Sequence, residues 1–388
     1  MLNLRSLLDV EEWLVKREQY FLVDLRSPAE FRAASIPGAE NIPLFSDEER
    51  VAVGTVYRQD GPPAAKKVGL ALVSPKLPWL VETILSGAGT REILLYCWRG
   101  GMRSNSMATV LEAMGYPVRR LAGGYKAFRR LVNRYFAGTH LKVPVFVLNG
   151  LTGVGKTMVI QKLSSLGVPA LDLEGMAGHR GSVFGGIGLG PPRTQKDFEA
   201  LLFLELWKNR EARYLVVEGE GRRIGPVVLP YFLLDAMKGG PRILLEANLD
   251  VRVSRILAEY QSTTAKQLKE LITAVNSLRN RLGEEKSAGL VKMINAGQYA
   301  GVARELCTGY YDMLYKDSRD AAGQYLAVVN IDDLYQGVQH LLAVIKDNLQ
   351  GHVLPCPGRV ARQTVPTQGN EIQCFKSHVE GNAIFGGD

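Results

Sequence analysis

The chain has 388 residues, which at roughly 150 residues per domain suggests two or three domains. Its apolar fraction of 46% and charged fraction of 22% exclude a disordered or fibrous chain, and no apolar run approaches the ~18–20 residues of a membrane span. A formal net charge of +8 makes a polyanionic partner plausible wherever that charge is clustered.

The N-terminus, MLNLRSLLDVEEWL, carries acidic residues where a secretion signal would be apolar. The four cysteines, Cys97, Cys307, Cys356 and Cys374, form no CxxC pair. A reducing, cytoplasmic setting with no membrane association is therefore expected, and a monomer. Tyr20–Asp24 reads as a buried strand, and Ser27-Pro-Ala-Glu30 as a helix start with cap, proline and capping glutamate. Ile93–Tyr96 is a second strand and Met107–Met114 a helix that Gly115-Tyr-Pro117 stops, before a strand at Val118–Leu121. A second cycle begins with the strand Val145–Leu148, a glycine-rich turn and a helix from Lys156 to about Leu166. Further strands are expected at Tyr214–Val217 and Ile243–Glu246, and Ala265–Met293 is helical in pattern. The fold class is α/β, with parallel sheets flanked by helices in both halves. The halves are placed at 1–136 and 137–347, joined through the Arg-rich helix near Ala127–Tyr135, with a loosely ordered tail over 348–388.

The charge is clustered. No Asp or Glu occurs from Ala113 to Leu171, a stretch holding Arg119, Arg120, Lys126, Arg129, Arg130, Arg134, Lys142, Lys156 and Lys162. A solvated helix face explains this blandly, and an anion-binding seam facing phosphates explains it more sharply.

Two segments carry chemistry. In Tyr96-Cys97-Trp98-Arg99-Gly100-Gly101-Met102-Arg103-Ser104 a cysteine leaves a buried strand and meets a helix start through two glycines. Such a loop turns backbone N–H groups inward as an anion nest, and with Arg99 and Arg103 it favours a charged sulfur species. A buried structural cysteine is the plain alternative. Gly150-Leu-Thr-Gly153-Val154-Gly155-Lys156-Thr157 matches G-x-x-x-x-G-K-[ST] between a strand and a helix. Its glycines let the backbone wrap a diphosphate, Lys156 reaches the oxygens, and Thr157 is placed to hold Mg²⁺. The segment Glu218-Gly-Glu220-Gly-Arg222-Arg223 offers acidic partners for that metal and two arginines for the diphosphate. Between the two lie Asp172, Glu174, His179, Arg180 and Ser182 in a Gly-rich segment that reads as an active-site loop. Trp98 and Tyr125 either stack on a base or pack in the domain seam.

The first 135 residues resemble a rhodanese domain, on Asp24-Leu-Arg26, Glu30-Phe31, Ile36-Pro-Gly-Ala39, Asn41-Ile-Pro43, the Cys97 loop and Leu121-Ala-Gly-Gly-Tyr125. Five residues separate Cys97 from Arg103, a loop that resembles those of rhodanese-fold phosphatases and suits a phosphoryl-bearing donor. Ser35 stands where such domains usually carry His. A rhodanese domain fused to a P-loop domain, with His179-Arg180-Gly-Ser182, Glu218–Gly225 and Val53-Gly-Thr-Val-Tyr57, resembles the tRNA 2-selenouridine synthases over about residues 5–345.

That resemblance implies replacement of sulfur by selenium at carbon 2 of the wobble uridine of the tRNAs for Lys, Glu and Gln. It implies an S-geranyl-2-thiouridine intermediate, with geranyl diphosphate and selenophosphate as co-substrates and no tightly bound cofactor; Mg²⁺ is expected only as the ion that Thr157 would hold. Cys97 would carry selenium as S-selanylcysteine, with Trp98, Arg99, Gly100, Gly101, Met102 and Arg103 around the selenophosphate. Gly150, Gly153, Val154, Gly155, Lys156, Thr157, Arg222 and Arg223 would hold the diphosphate. Arg119, Arg120, Lys126, Arg129, Arg130 and Arg134 would bind the anticodon arm. A P-loop kinase or ATPase with a regulatory sulfurtransferase-like domain is the competing reading.

Overall fold

The computed structural model describes residues 7–260, 264–314 and 325–351. One compact unit covers Met1–Ile345 and contains both halves; the remainder, Lys346–Asp388, is described only to residue 351. Cys356, Cys374 and most of the expected tail lie outside the described residues.

The N-terminal half holds β1 (Leu7–Leu8), β2 (Tyr20–Asp24), β3 (Glu40–Asn41), β4 (Glu92–Tyr96) and β5 (Val118–Leu121). They form one parallel sheet in the order β1-β5-β4-β2-β3. Its helices are α1 (Val10–Lys16), α2 (Pro28–Ala33), α3 (Asp47–Gln59), α4 (Gly61–Val73), α5 (Leu77–Ala88), α6 (Met102–Ala113) and α7 (Gly124–Gly138). The central strands are apolar throughout because both faces are covered. Tyr20, Leu22, Leu94 and Tyr96 point toward α1 and α7, whereas Phe21, Val23, Ile93 and Leu95 point toward α5 and α6. The expected cap is present: Ser27 and Glu30 form a reciprocal capping box at the start of α2.

The C-terminal half holds β6 (Val145–Gly150), β7 (Ala170–Leu171), β8 (Leu215–Glu218), β9 (Arg223–Ile224), β10 (Val227–Val228), β11 (Arg242–Glu246) and β12 (Ala327–Asn330). Five of them make a second parallel sheet, β12-β11-β6-β8-β7, and β9 with β10 forms a separate antiparallel pair. Its helices are α8 (Lys156–Ser165), α9 (Leu173–Ala177), α10 (Gln195–Lys208), α11 (Tyr231–Gly239) and α12 (Leu249–Glu259). They are followed by α13 (Ala265–Ser277), α14 (Arg279–Leu282), α15 (Glu284–Asn295), α16 (Tyr299–Leu306), a π-helical turn over Cys307–Tyr311, and α17 (Leu334–Gly351).

Three expectations change. The helix read over 265–293 is three helices, interrupted at Leu278 and at Gly283, whose φ of 86° suits glycine. The helix after the cysteine loop begins at Met102, not Met107, so Arg103 and Ser104 lie in its first turn. Residues Gly61–Ala88 form consecutive helices apolar enough to meet a membrane-span criterion, with a mean hydropathy of 1.4. Counting unbroken apolar residues misses them because Lys66, Lys67, Lys76 and several prolines interrupt the run. Leu80, Val81, Ile84 and Ala88 of this segment pack in the core of the N-terminal half.

The two halves share a core. Ala200, Phe203 and Leu204 of α10 belong to the same apolar cluster as Trp13, Phe128 and Val132 of α1 and α7. Phe203 lies edge-on to Phe128 at 6.1 Å and to Tyr135 at 5.1 Å. The Ser35 N–H donates to Asp197 Oδ1 at 3.0 Å, so the position usually held by His contributes its backbone to this junction. Burying a large apolar side chain contributes about 1.5–3 kcal/mol. Phe128 and Phe203, both fully buried, therefore fasten the two sheets into one body.

Candidate active sites

Cys97 follows the end of β4 and is 3% exposed, with its Sγ 3.4 Å from Ser104 Oγ in the first turn of α6. The loop is tied to α7: the Tyr125 N–H donates to the Cys97 carbonyl at 3.0 Å, and the Lys126 N–H to the Trp98 carbonyl at 3.0 Å. Gly124 makes this approach possible, because it has a φ of 56° and a Cβ there would overlap the Cys97 carbonyl. Trp98, Arg99 and Met102 are exposed at the loop surface, with Gly100 and Gly101 between them. Arg103 is committed elsewhere, donating to Glu30 at 2.6 and 3.2 Å. Burial alone would raise the Glu30 carboxyl, but the Arg103 guanidinium holds it below its ordinary value. Arg103 thus braces the loop through Glu30, and Arg99 is the loop arginine without an ion pair among the described residues.

Beneath the loop, Arg26 is buried and donates to both Asp24 carboxylate oxygens, at 2.6 Å to Oδ2, and to the Ala34 carbonyl at 2.7 Å. Its guanidinium lies 4.2 Å from the Tyr125 ring centroid, and Trp98 rests on Tyr125 at 5.5 Å.

The second site grows from β6 into α8. Lys156 Nζ lies 3.5 Å from the Gly150 carbonyl, and Thr157 Oγ1 donates to Glu174 Oε2 at 3.1 Å. The Glu174 N–H in turn donates to Glu218 Oε2 at 3.2 Å, at the end of β8. Burial, with Glu220 next, pushes the Glu174 carboxyl up to about 7. Burial, with Glu174 next, pushes Glu218 up to about 8, and burial raises Glu220 too. Glu218 Oε1 is buried without a hydrogen-bond partner. The orphaned Glu218 oxygen beside the P-loop threonine fits a divalent cation, with Thr157, Glu174 and Glu218 as the groups that would hold it.

The P-loop opens into a cavity of about 630 Å³. Thr152, Gly153, Gly155, Lys156, Thr157 and Arg180 line its polar part, with Gly181, Ser182, Glu174, Glu220 and Glu259 beside them. Apolar side chains line much of the rest, among them Leu271, Ile294, Val302 and Leu306 from α13, α15 and α16, while Ile256 of α12 packs against Gly153 of the P-loop itself. A phosphate-binding loop and an apolar lining share one cavity.

Two family models match: a rhodanese-like domain over residues 6–131 and the tRNA 2-selenouridine synthase AAA domain over residues 143–342. The chain is 34% identical over 332 residues to the tRNA 2-selenouridine synthase of Pseudomonas fluorescens, covering 78% of this chain and 89% of that one. It is 36% identical over 326 residues to that of Hydrogenovibrio crunogenus, covering 76% and 88%. Against that of Cupriavidus necator the identity is 40% over 243 residues, covering 62% and 65%.

The chain belongs to the tRNA 2-selenouridine synthase family. It is a transferase that modifies tRNA, and the kinase reading falls away. Within this synthase several expected site residues take other roles. Arg222 and Arg223 do not line the cavity: Arg222 is exposed and donates to the Tyr231 hydroxyl at 2.8 Å, and Arg223 is exposed on β9. Arg180 does line the cavity, held by the Ile187 carbonyl at 3.1 Å, Glu259 at 3.6 Å and the Tyr260 ring.

His179 is wedged between two glycines. Its ring packs against Gly185 and Gly225, where a Cβ would come within 2.9 and 2.5 Å of ring atoms, and Nδ1 accepts from the Gly181 N–H at 3.2 Å. Burial, then Arg180, lowers its pKa. Asp172 is the N-cap of α9, accepting from the Gly175 N–H at 2.7 Å. Ser182 Oγ accepts from the Phe184 N–H at 3.2 Å within the cavity-lining loop.

The basic stretch divides likewise. Arg119 donates to the Tyr20 hydroxyl at 3.0 Å, and Arg129 pairs with Glu199 of α10. Arg120 is half-buried on β5, while Lys126, Arg130 and Arg134 form an exposed i, i+4, i+8 stripe along α7, without ion pairs among the described residues.

Two arginines escaped the sequence reading. Arg252 donates to the Thr152 carbonyl at 2.9 Å and to Asp312 at 2.6 and 3.0 Å, and Arg255 donates to the Val154 carbonyl at 2.7 Å. Both rise from α12 and fix the P-loop backbone. Their spacing on α12 was the available signal, but a charged pair three apart reads equally as a solvated helix face. Cys307 lines the cavity as well, and burial raises its thiol pKa.

Proposed function

We propose that the P-loop cavity binds geranyl diphosphate and the Cys97 loop delivers selenium, so that the wobble base of tRNA is processed in two steps. The observation that carries this reading is the cavity: its P-loop suits a diphosphate and its helical wall suits a short hydrocarbon. In the first step the 2-thiouridine sulfur attacks the geranyl carbon bearing oxygen. The C–S bond forms, the C–O bond breaks, and diphosphate leaves with the electron pair while the base loses a proton. Lys156, the P-loop N–H groups and Arg180 face the charge that develops on the leaving oxygens. A divalent cation, which Thr157, Glu174 and Glu218 would hold, would supply Lewis-acid stabilisation of that diphosphate.

In the second step the selenium of selenophosphate, bound beside Cys97, attacks carbon 2. The C–Se bond forms, the C–S bond breaks, and geranyl thiolate departs, a far better leaving group than sulfide; water then attacks phosphorus, the Se–P bond breaks, and phosphate leaves with selenium retained on carbon 2 at its original oxidation level. The N–H groups of the Cys97 loop and Arg99 receive the phosphoryl group of the donor. The stripe of Lys126, Arg130 and Arg134 tracks the tRNA backbone. A tRNA substrate places the reaction in the cytoplasm.

Calorimetric titration separates the cavity reading from nucleotide binding. Geranyl diphosphate is expected to bind the wild-type chain with Mg²⁺ at least about tenfold more tightly than inorganic diphosphate, and Lys156→Ala to abolish both. Equal affinity for the two ligands, or preference for ATP, would remove the hydrocarbon site.

A further inference from the structure

The Cys97 loop carries an unexplained aromatic. Trp98 immediately follows the buried Cys97 and is 39% exposed, so part of its indole is open beside the cysteine. Two groups support the indole from the protein side. Trp98 lies on Tyr125 with a 5.5 Å centroid separation and a 32° tilt, and the Arg26 guanidinium lies 4.2 Å from the Tyr125 ring and 5.9 Å from the Trp98 ring. That support is fixed. Arg26 is fully buried, neutralised by two-oxygen contact with Asp24, and held by the Ala34 carbonyl. Tyr125 is 3% exposed. The hydrogen bonds from the Tyr125 and Lys126 N–H groups to the Cys97 and Trp98 carbonyls tie the Trp98 backbone to the helix. That helix carries the basic stripe, which starts at Lys126, the residue after Tyr125.

We propose that the open face of Trp98 is the stacking platform for the flipped wobble base during selenium transfer. This rests on the reading of Cys97 as the selenium site, and it adds the group that positions carbon 2. An uncharged, planar pyrimidine extruded from the anticodon loop has a π-face and little charge to recognise, so an aromatic platform is the group that suits it. A platform adjacent in sequence to the cysteine sets the base at a fixed height beside the sulfur. The phosphates on either side then run onto Lys126 and Arg130. Arg99, also exposed on this loop, remains available to the donor's phosphoryl group.

The test uses the full-length chain and anticodon stem-loop RNA bearing S-geranyl-2-thiouridine at the wobble position, with selenophosphate, read by nucleoside mass spectrometry. Trp98→Ala is expected to lower single-turnover conversion to 2-selenouridine about tenfold or more, within what stacking one base on an aromatic supplies. Trp98→Phe should restore the rate to within about threefold, whereas Trp98→Leu, apolar and bulky but without a π-face, should not. In parallel, 2-thiouridine stem-loop RNA should quench the tryptophan fluorescence of the wild-type chain more than that of Trp98→Phe at equal occupancy. A Leu variant as fast as the Phe variant, or identical quenching in wild type and Trp98→Phe, would overturn the platform. A wild-type chain that yields no 2-selenouridine overturns instead the selenium-site reading on which the platform rests.

Discussion

Arg129 of α7 and Glu199 of α10 pair across the junction of the two halves, each side chain about four-fifths buried. Arg130, the next residue of α7, and Arg134 point to solvent without a partner among the described residues. Neighbouring arginines in one acid-free stretch therefore do different work, one holding the halves together and the others presenting charge.

That division is measurable. Arg129→Ala should lower thermal stability by about 1–3 kcal/mol, because it strands a largely buried carboxylate, and should leave the salt dependence of tRNA binding unchanged. Arg130→Ala should leave stability within about 0.5 kcal/mol and flatten the plot of log affinity against log salt by roughly one unit. Melting curves together with filter binding at several salt concentrations check both.

The apolar wall of the cavity gives a second expectation. Leu306→Trp or Val302→Trp adds bulk inside the cavity and should reduce geranyl transfer about tenfold or more, while binding of inorganic diphosphate stays near the wild-type value. Calorimetry with diphosphate, beside mass spectrometry of geranylated nucleosides, separates the two. Equal loss of both ligands would place the introduced ring against the P-loop and contradict the two-part cavity.

The carboxylates around Thr157 predict a pH dependence. Burial raises Glu174 to about 7 and Glu218 to about 8, so between the ordinary glutamate value and those values the folded chain holds protons that the unfolded chain releases. Stability should therefore fall as pH rises from about 4.5 toward 8, in chelator-containing buffer. Glu218→Gln removes one of these protons from the balance and should flatten that decline, raising the melting temperature at pH 8 relative to wild type. Magnesium should stabilise the wild-type chain more at pH 8 than at pH 6, because the cation replaces the protons. Parallel pH profiles for wild type and Glu218→Gln would contradict the buried, proton-holding carboxylate.

Much of this was legible in the chain. The strand Tyr20–Asp24, the box of Ser27 and Glu30, the strand Val118–Leu121 and the P-loop each carry a local signal, because their energetics are local: apolar continuity, a cap, a glycine turn. The partnerships were not legible. Whether Arg103 faces a donor or Glu30, whether Arg222 faces a diphosphate or Tyr231, and whether His179 reacts or wedges between glycines depend on contacts far apart in sequence. The same holds for Arg252 and Arg255, which reach the P-loop from about a hundred residues away. The short strands β1, β3 and β7, two residues each, carry no period and exist because longer neighbours pair with them.

The central claim is a division of labour: alkylation at the P-loop cavity, selenium delivery at Cys97. Its most direct test is nucleoside mass spectrometry of 2-thiouridine tRNA incubated with Mg²⁺, geranyl diphosphate and selenophosphate, using wild type, Cys97→Ser and Lys156→Ala. Wild type should yield 2-selenouridine, Cys97→Ser should accumulate S-geranyl-2-thiouridine, and Lys156→Ala should leave 2-thiouridine unchanged. Selenouridine formed by Cys97→Ser at the wild-type rate, or geranylation that survives in Lys156→Ala, would contradict it.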